Sequence, residues 1–452
     1  MPDKGLSQYL SRHAEPEAAA ADALTGDFGH VLVLPAYGEG QSLFDTLGSV
    51  PKGPRGDTLI VVVLNAREDS PAGVHESNDA ARARLLEAAE GVRELRGFPA
   101  TALKYPNGAL VLVDRARTGH FLPAGQGVGL ARKIGCDVAL RLHAAGRVAS
   151  DWIHNTDADT ILANDYFDQT EPVPADGNAA AVYFFEHRFS EDESLGLAGR
   201  LYEISLRYYT LGLDWAGSPY AYEAMGSCLA VRPDAYAAVR GFPKKNAAED
   251  FYILNKLAKV GTVARLAGAP LLLDGRVSDR VPFGTGKALS QLVTKKRGLS
   301  AFRLIHPGVF AHLAAWLQVL RTIADTGGRV DLALEQLPRG NPFFLSDVLL
   351  GSLERLGAFA AMREAIERSG DGPTMLRHFH TWFDAFRTLK LVHALRDGGL
   401  PSLPWREALA EAPFTRLSAS TVEAVEPLRK ALAVEERRLG ETPAGVTSIA
   451  DI

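Results

Sequence analysis

The chain has 452 residues, 46% of them apolar and 23% charged, a globular mix that excludes global disorder. At roughly 150 residues per domain the length suggests about three units, or one large domain with additions. Lys and Arg number 49 against 54 Asp and Glu, and a formal charge of -5 argues against a protein that mainly coats nucleic acid or anionic lipid.

Taken in chain order, residues 1–28 read as a helical lead-in that is Ala-rich from Ala18 to Leu24. His30 to Pro35 is a short apolar run closed by Pro, the pattern of a buried parallel strand. A short helix is expected over Glu39 to Leu47, a second buried strand over Thr58 to Leu64 and a helix over Asn78 to Arg96. A third strand is expected over Ala109 to Val113. Gly127 to Ala145 has helical spacing, with Leu130, Ile134, Val138 and Leu142 four apart, and Trp152 and Ile153 lead a fourth strand. Strands alternating with helices predict an α/β fold with a mostly parallel sheet, whose ligands gather at the carboxyl ends of the strands. Beyond about residue 300 the expected elements are helices: Phe310 to Ala324, Leu345 to Arg368, Leu376 to Arg396, Trp405 to Ala412 and Thr421 to Leu439. Gly and Pro clusters punctuate them, so a separate α-helical C-terminal region is expected.

Two cysteines, Cys136 and Cys228, cannot build a disulfide framework or a Cys-rich zinc site, which points to a reducing, cytoplasmic location. Charged residues near the N-terminus interrupt any signal-peptide core, and no run reaches the roughly 18 apolar residues that span a bilayer. No integral membrane segment is expected; peripheral membrane contact is the alternative to a purely cytoplasmic home.

The sharpest local feature is Trp152-Ile-His-Asn-Thr-Asp-Ala-Asp-Thr160. Asp157 and Asp159 stand two apart at the end of an expected strand, so in extended chain both carboxylates face one centre. Mg²⁺ or Mn²⁺ takes oxygen ligands, commonly one or two carboxylates plus substrate phosphates, so the pair suits a metal-diphosphate site. The bland alternative is an ordinary Asp turn. Pro35, Tyr37 and Glu39 follow the first strand and Asn65 ends the second, both at carboxyl ends where a nucleotide would sit. Gly125 to Lys133 opens a helix with glycines that admit close backbone approach, and Arg132 and Lys133 are candidates to meet phosphate oxygens; a solvated surface pair is the competing reading. Gly226 and Ser227 begin a further loop, followed by Arg240-Gly241-Phe242. Glu249 and Asp250 then open a helix, where the helix dipole alone would justify acids. In the functional reading Asp250 takes the proton of an attacking hydroxyl while Glu249 orients the acceptor. Arg280 lies in a Gly-rich loop with Lys287 that would close over a diphosphate.

In this order the motifs resemble those of the GT-A glycosyltransferases, and within them the family 2-like group, over roughly residues 29 to 295. The matching pieces are Pro35-Ala-Tyr-Gly-Glu39, Gly125 to Lys133, Asp157-Ala158-Asp159, Gly226 to Arg232 with Arg240-Gly241-Phe242, and Glu249-Asp250. Three departures stand out. The second strand ends in Leu64-Asn65-Ala66-Arg67 rather than Asp-Asp-Gly-Ser, the stretch from Glu68 to Asn107 is long, and the Gln-x-x-Arg-Trp motif of processive membrane synthases is missing. The resemblance implies a Rossmann-like GT-A domain over 29–295, after the lead-in of 1–28 and before a helical region of 296–452. It implies metal-dependent transfer of a sugar from a UDP- or GDP-sugar to a hydroxyl acceptor, with Asp157 and Asp159 on Mg²⁺ or Mn²⁺ and Asp250 as the base of an inverting enzyme. A retaining enzyme acting on a small acceptor, a nucleotidyltransferase and a noncatalytic nucleotide-sugar-binding scaffold are the alternatives. The helical region is expected to shape an acceptor pocket or a homodimer contact, and no nucleic-acid partner is expected.

Overall fold

The computed structural model describes residues 4–105, 108–189, 192–275, 302–338, 344–418 and 424–441. These fall into two compact units, one of Met1–Arg188 with Ala224–Lys287 and the other of Phe189–Glu223 with Ala288–Ile452. The division is not the contiguous one expected from the sequence. The helix Glu193–Trp215 groups with the C-terminal helices, and the N-terminal lead-in groups with the sheet.

The first unit runs α1 (Lys4–Arg12), β1 (His30–Ala36), α2 (Gln41–Ser49), β2 (Thr58–Asn65), α3 (Ala72–Glu87), β3 (Gly91–Leu95), β4 (Ala100–Tyr105), β5 (Gly108–Arg115), α4 (Val128–Ala144), β6 (Ile153–Asn155), β7 (Thr160–Ile161), β8 (Asn178–Val182) and β9 (Phe185–Phe189). After α5 (Glu193–Trp215) of the second unit it resumes with β10 (Leu229–Val231), α6 (Pro233–Ala238), α7 (Glu249–Leu257), β11 (Thr262–Arg265) and β12 (Leu271–Gly275). Nine strands form one sheet in the order β11-β8-β10-β6-β1-β2-β5-β4-β3. Its centre is parallel, because β1 pairs with β6 on one side and β2 on the other, and β2 pairs with β5. Antiparallel pairs flank it, β4 with β5 and β3, and β10 with β6 and β8. β1 is buried along its whole length, as a Val/Leu run with both faces covered must be.

The strand order reverses at β1: the chain steps from β1 to β2 and β5 on one side, then returns to place β6 on the other. In open α/β sheets the crevice at such a switch point, beyond the carboxyl ends of the strands, is where ligands bind. The segments that follow β1 and β6 there are Tyr37 to Glu39 and Thr156 to Asp159.

One sequence expectation changes in this unit. The helix expected over Asn78 to Arg96 ends at Glu87, and Gly91–Leu95 is instead the edge strand β3. Four of its five residues are exposed, so it carries none of the apolar alternation that marks a half-buried strand, and its Arg93 and Glu94 are charges of the kind that protect sheet edges. The short strands β7 to β12 are too brief for a periodic signal to stand out.

The second unit continues after α5 with helices Pro307–Asp325, Val330–Glu335, Ser346–Arg355, Ala358–Arg368, Gly372–Trp382, Ala385–Gly398, Trp405–Glu411 and Val425–Glu441. The expected helix over Leu345 to Arg368 breaks at Gly357, whose φ is 79°. That over Leu376 to Arg396 breaks at Asp384, whose side chain caps the next helix by accepting from Arg387 N–H at 3.1 Å. The core holds Trp316, Phe310, Phe379, Phe383 and Trp405. Inside it α5 is bound to the helix Val425–Glu441 by a buried ionic network. Glu203, fully buried, accepts from Arg207 and from Arg429, each at 2.8 Å, and Arg207 also reaches Glu436. Removing the shared anion takes one buried carboxylate from both guanidinium groups, leaving Arg207 with Glu436 and Arg429 with Glu426. Glu203→Ala is therefore expected to destabilise this unit by roughly 3–5 kcal/mol, read as a lowered urea midpoint. A change under about 1 kcal/mol would mean that the network is not what holds the two helices.

Candidate active site

The site is built from four segments far apart in sequence, and one side chain connects them. Arg132 lies in the first turns of α4, a helix buried on nearly all sides, and is itself 1% exposed. Its Nη2 donates to Asp157 Oδ1 at 2.6 Å, its Nε to Glu249 Oε1 at 3.3 Å and its Nη1 to the Gly226 carbonyl at 3.0 Å. Gly226 N–H in turn donates to Asp250 Oδ2 at 2.9 Å, and the other Asp250 oxygen accepts from Phe251 N–H at 2.7 Å. Asp157, Glu249 and Asp250 are thereby collected around one buried guanidinium.

Sheet register explains half of this. Leu229 of β10 is paired with Asn155 of β6, so the turn before β10, Gly226 to Cys228, lies beside the turn after β6, Thr156 to Asp157. A Cβ at Gly226 would collide with Arg132 Nη2, so the contact needs glycine there. The other half comes from the loop before α7. Gly129 N–H of α4 donates to the Lys245 carbonyl at 3.1 Å, and a Cβ on Gly129 would collide with the Pro243 carbonyl. The loop ends at Ala248, which holds a left-handed φ of 60° immediately before Glu249. Such backbone costs of order 1 kcal/mol and persists where the surroundings impose it.

Charge follows from this packing. Burial raises the Glu249 and Asp250 carboxyls above the ordinary carboxylate range, and Asp157 nearby adds to the rise in each. For Arg132 burial opposes the charge, but Asp157 and Glu249 outweigh it and hold the guanidinium firmly protonated. Asp157 keeps a partly exposed side chain, 37% open to solvent. Asp159 is half-buried, two residues on in the turn before β7.

Other expected residues are placed differently. Tyr37 and Glu39 are half-buried after β1, with the Tyr37 hydroxyl donating to Ser70 Oγ at 3.2 Å. Pro35 is buried within β1. Asn65 is 3% exposed and donates to the Ala36 carbonyl at 2.8 Å, so it ties the ends of β1 and β2 together. Ser227 is 4% exposed, its hydroxyl against Cys228 Sγ. The expectation that Arg132 and Lys133 meet phosphate is corrected: α4 is buried around both positions, and both cations turn to internal carboxylates. Lys133 contacts Asp137 at 2.7 Å in a separate cluster. Arg280 and its Gly-rich loop lie outside the described residues. Sequence reasoning missed Asn78, which is 1% exposed on α3. It donates to the Asn65 carbonyl at 3.1 Å and accepts from Gly38 N–H at 3.0 Å, fixing the two loops at the switch point. No local pattern marks a lone Asn within a helix for that role.

Among the described residues no group of three or more His, Cys, Asp or Glu side chains forms a metal cage. The donor set of Asp157 and Asp159 is oxygen only and suits Mg²⁺ or Mn²⁺ whose remaining ligands come from a bound diphosphate.

No family model matches the chain, and no curated protein matches it. Among solved structures it is similar to Staphylococcus aureus TarS 1-349 in complex with UDP-GlcNAc, at 12% identity over 92% of this chain and 91% of that one, TM-score 0.35. It is also similar to the mannosyltransferase PcManGT from Pyrobaculum calidifontis in complex with GDP-Man and Mn²⁺, at 15% identity over 87% of this chain and 94% of that one, TM-score 0.31.

The buried acids set a pH signature. A carboxyl with a raised folded-state pKa stabilises the fold fully below its ordinary range and loses that contribution as pH rises through the raised value. Glu249, pushed up to about 7, should therefore cost the folded chain stability as pH rises from the ordinary carboxylate range to about 7, and Asp250 adds a loss of the same sign. Arg132→Met should destabilise by about 3–5 kcal/mol at pH 8, above the range through which Glu249 loses its proton, and by clearly less at pH 5, in paired urea melts. An equal loss at both pH values would refute the electrostatic role of Arg132.

Proposed function

We propose that this chain is a metal-dependent glycosyltransferase of the GT-A type that moves a sugar from a nucleotide diphosphate sugar to a hydroxyl acceptor with inversion. The observation that carries the reading is the convergence of Asp157, Glu249 and Asp250 on buried Arg132 beside the switch point of the sheet. Three carboxylates around one guanidinium leave a surplus of negative charge, which suits a divalent cation and a base better than a purely structural ion pair.

Asp157 and Asp159 would hold Mg²⁺ or Mn²⁺ together with the donor diphosphate, and the ion would stabilise the charge of the leaving group. Asp250 accepts the proton of the acceptor hydroxyl as its oxygen forms the new bond to the anomeric carbon. The bond from that carbon to the diphosphate oxygen breaks on the opposite face, and the electron pair leaves with the nucleoside diphosphate. The rise in the Asp250 pKa on burial makes it a stronger base than a solvated carboxylate, while its two backbone hydrogen bonds fix its aim. Glu249, pinned to Arg132, orients the acceptor from the same helical turn. Arg132 sets the positions of the acids and does not itself meet phosphate.

Asp250→Asn keeps the shape of the site but removes the base. With a responsive donor and acceptor it should lower kcat by about 10²–10⁴-fold with nucleotide-sugar affinity retained. Undiminished turnover would reject Asp250 as the base. Product analysis separates the reaction classes: nucleoside diphosphate release agrees with sugar transfer, and pyrophosphate release would replace it with nucleotidyl transfer.

A further inference from the structure

A second buried polar cluster begins one position along α4 from Arg132, at Lys133, and is centred on Asp137, which is fully buried. Asp137 Oδ1 accepts from the Tyr9 hydroxyl at 2.7 Å and the Tyr236 hydroxyl at 2.9 Å. Its Oδ2 accepts from Lys133 Nζ at 2.7 Å and from Glu15 N–H at 2.8 Å. Lys133 also donates to the Tyr9 hydroxyl. One carboxylate thus gathers four donors from α1, the segment after it, α4 and α6. So many charge-assisted bonds on a buried ion make a stiff junction, because losing any one leaves a desolvated partner.

The junction bears directly on the loop that presents the acids. Gly241 has φ 68°, and a Cβ there would collide with the Tyr9 hydroxyl and lie 2.8 Å from that of Tyr236. Phe242, 1% exposed, packs between Tyr236, at 6.0 Å between ring centroids, and the Arg132 guanidinium, at 5.7 Å from its ring. Lys244 pairs with Glu15 at 2.6 Å. With Gly129 holding Lys245, the loop from Gly241 to Lys245 is fastened at several points, and four residues further on it delivers Glu249.

We propose that the N-terminal segment is a positioning clamp for the site: Tyr9 and Glu15, acting through Asp137, Tyr236 and Lys244, hold the 241–248 loop in the one arrangement that sets Glu249 and Asp250 against Arg132. Tyr9 and Glu15 are positioning residues, since neither touches the acids, and the catalytic half of the claim rests on the function proposed above. The clamp gives the Arg240-Gly241-Phe242 turn its purpose: glycine admits the two phenols, and Phe242 passes their position on to the guanidinium.

The test uses the full chain with Tyr9→Phe, which removes one hydroxyl, and Glu15→Gln, which removes one charge. Amide hydrogen exchange over 241–250 should quicken by about tenfold in each while the sheet strands stay protected. With a responsive donor, kcat should fall by about tenfold while donor affinity changes by less than about twofold, and Glu15→Asp should restore part of the loss. Unchanged exchange over 241–250 in both variants overturns the clamp, and so does quickened exchange with full kcat. Quickened exchange in a protein whose wild type turns over no nucleotide sugar supports the clamp and overturns the catalytic reading instead.

Discussion

The site depends on a guanidinium that has been taken out of water. A buried Arg132 without partners would be prohibitively costly, so the fold that contains it must bring carboxylates to it, and those come from after β6 and from the first turn of α7. The carbonyl of Gly226 accepts a third hydrogen bond from Arg132, and the amide of the same residue ties in Asp250. One cation thus fixes the relative positions of Asp157, Glu249 and Asp250. Two of them still have raised pKa values, because burial disfavours their charge and neighbouring acids add to the rise, which the one guanidinium only partly offsets.

The sheet supplies the place. Parallel strands at its centre put their carboxyl ends on one edge, and the reversal of strand order beside β1 opens that edge where Tyr37 to Glu39 and Thr156 to Asp159 emerge. The antiparallel β10 then carries Gly226 to the end of β6, which a parallel strand in its position would not do. Asn65 and Asn78 brace the loops beyond β1 and β2 through backbone groups, so side chains that look available for ligand in the sequence serve the geometry of the loops.

The parallel centre of the fold was legible because β1, β2 and β5 are long apolar runs with helical spacing between them. The flanking strands were not, since β3 is an exposed charged edge and β7 is two residues long. The acids were legible from their spacing and their place after a strand or at a helix start. The error concerned the cations: Arg132 and Lys133 read as phosphate ligands because a sequence shows charge and helical phase but not that α4 is buried all around. The role of Tyr9 was hidden for a related reason. Its partner Asp137 lies 128 positions away, and Tyr236, which shares that carboxylate, another 99 beyond Asp137, so nothing local announces such a meeting.

The most direct test of the account is a calorimetric titration of UDP and GDP, with and without Mn²⁺, into the wild-type chain and into the Asp157→Asn, Asp159→Asn double variant. Mn²⁺-dependent binding of at least one nucleotide by the wild type is expected, weakened by about a hundredfold or more in the variant, as loss of carboxylate ligands implies. Equal affinity in the two proteins, or binding indifferent to the metal, would contradict it.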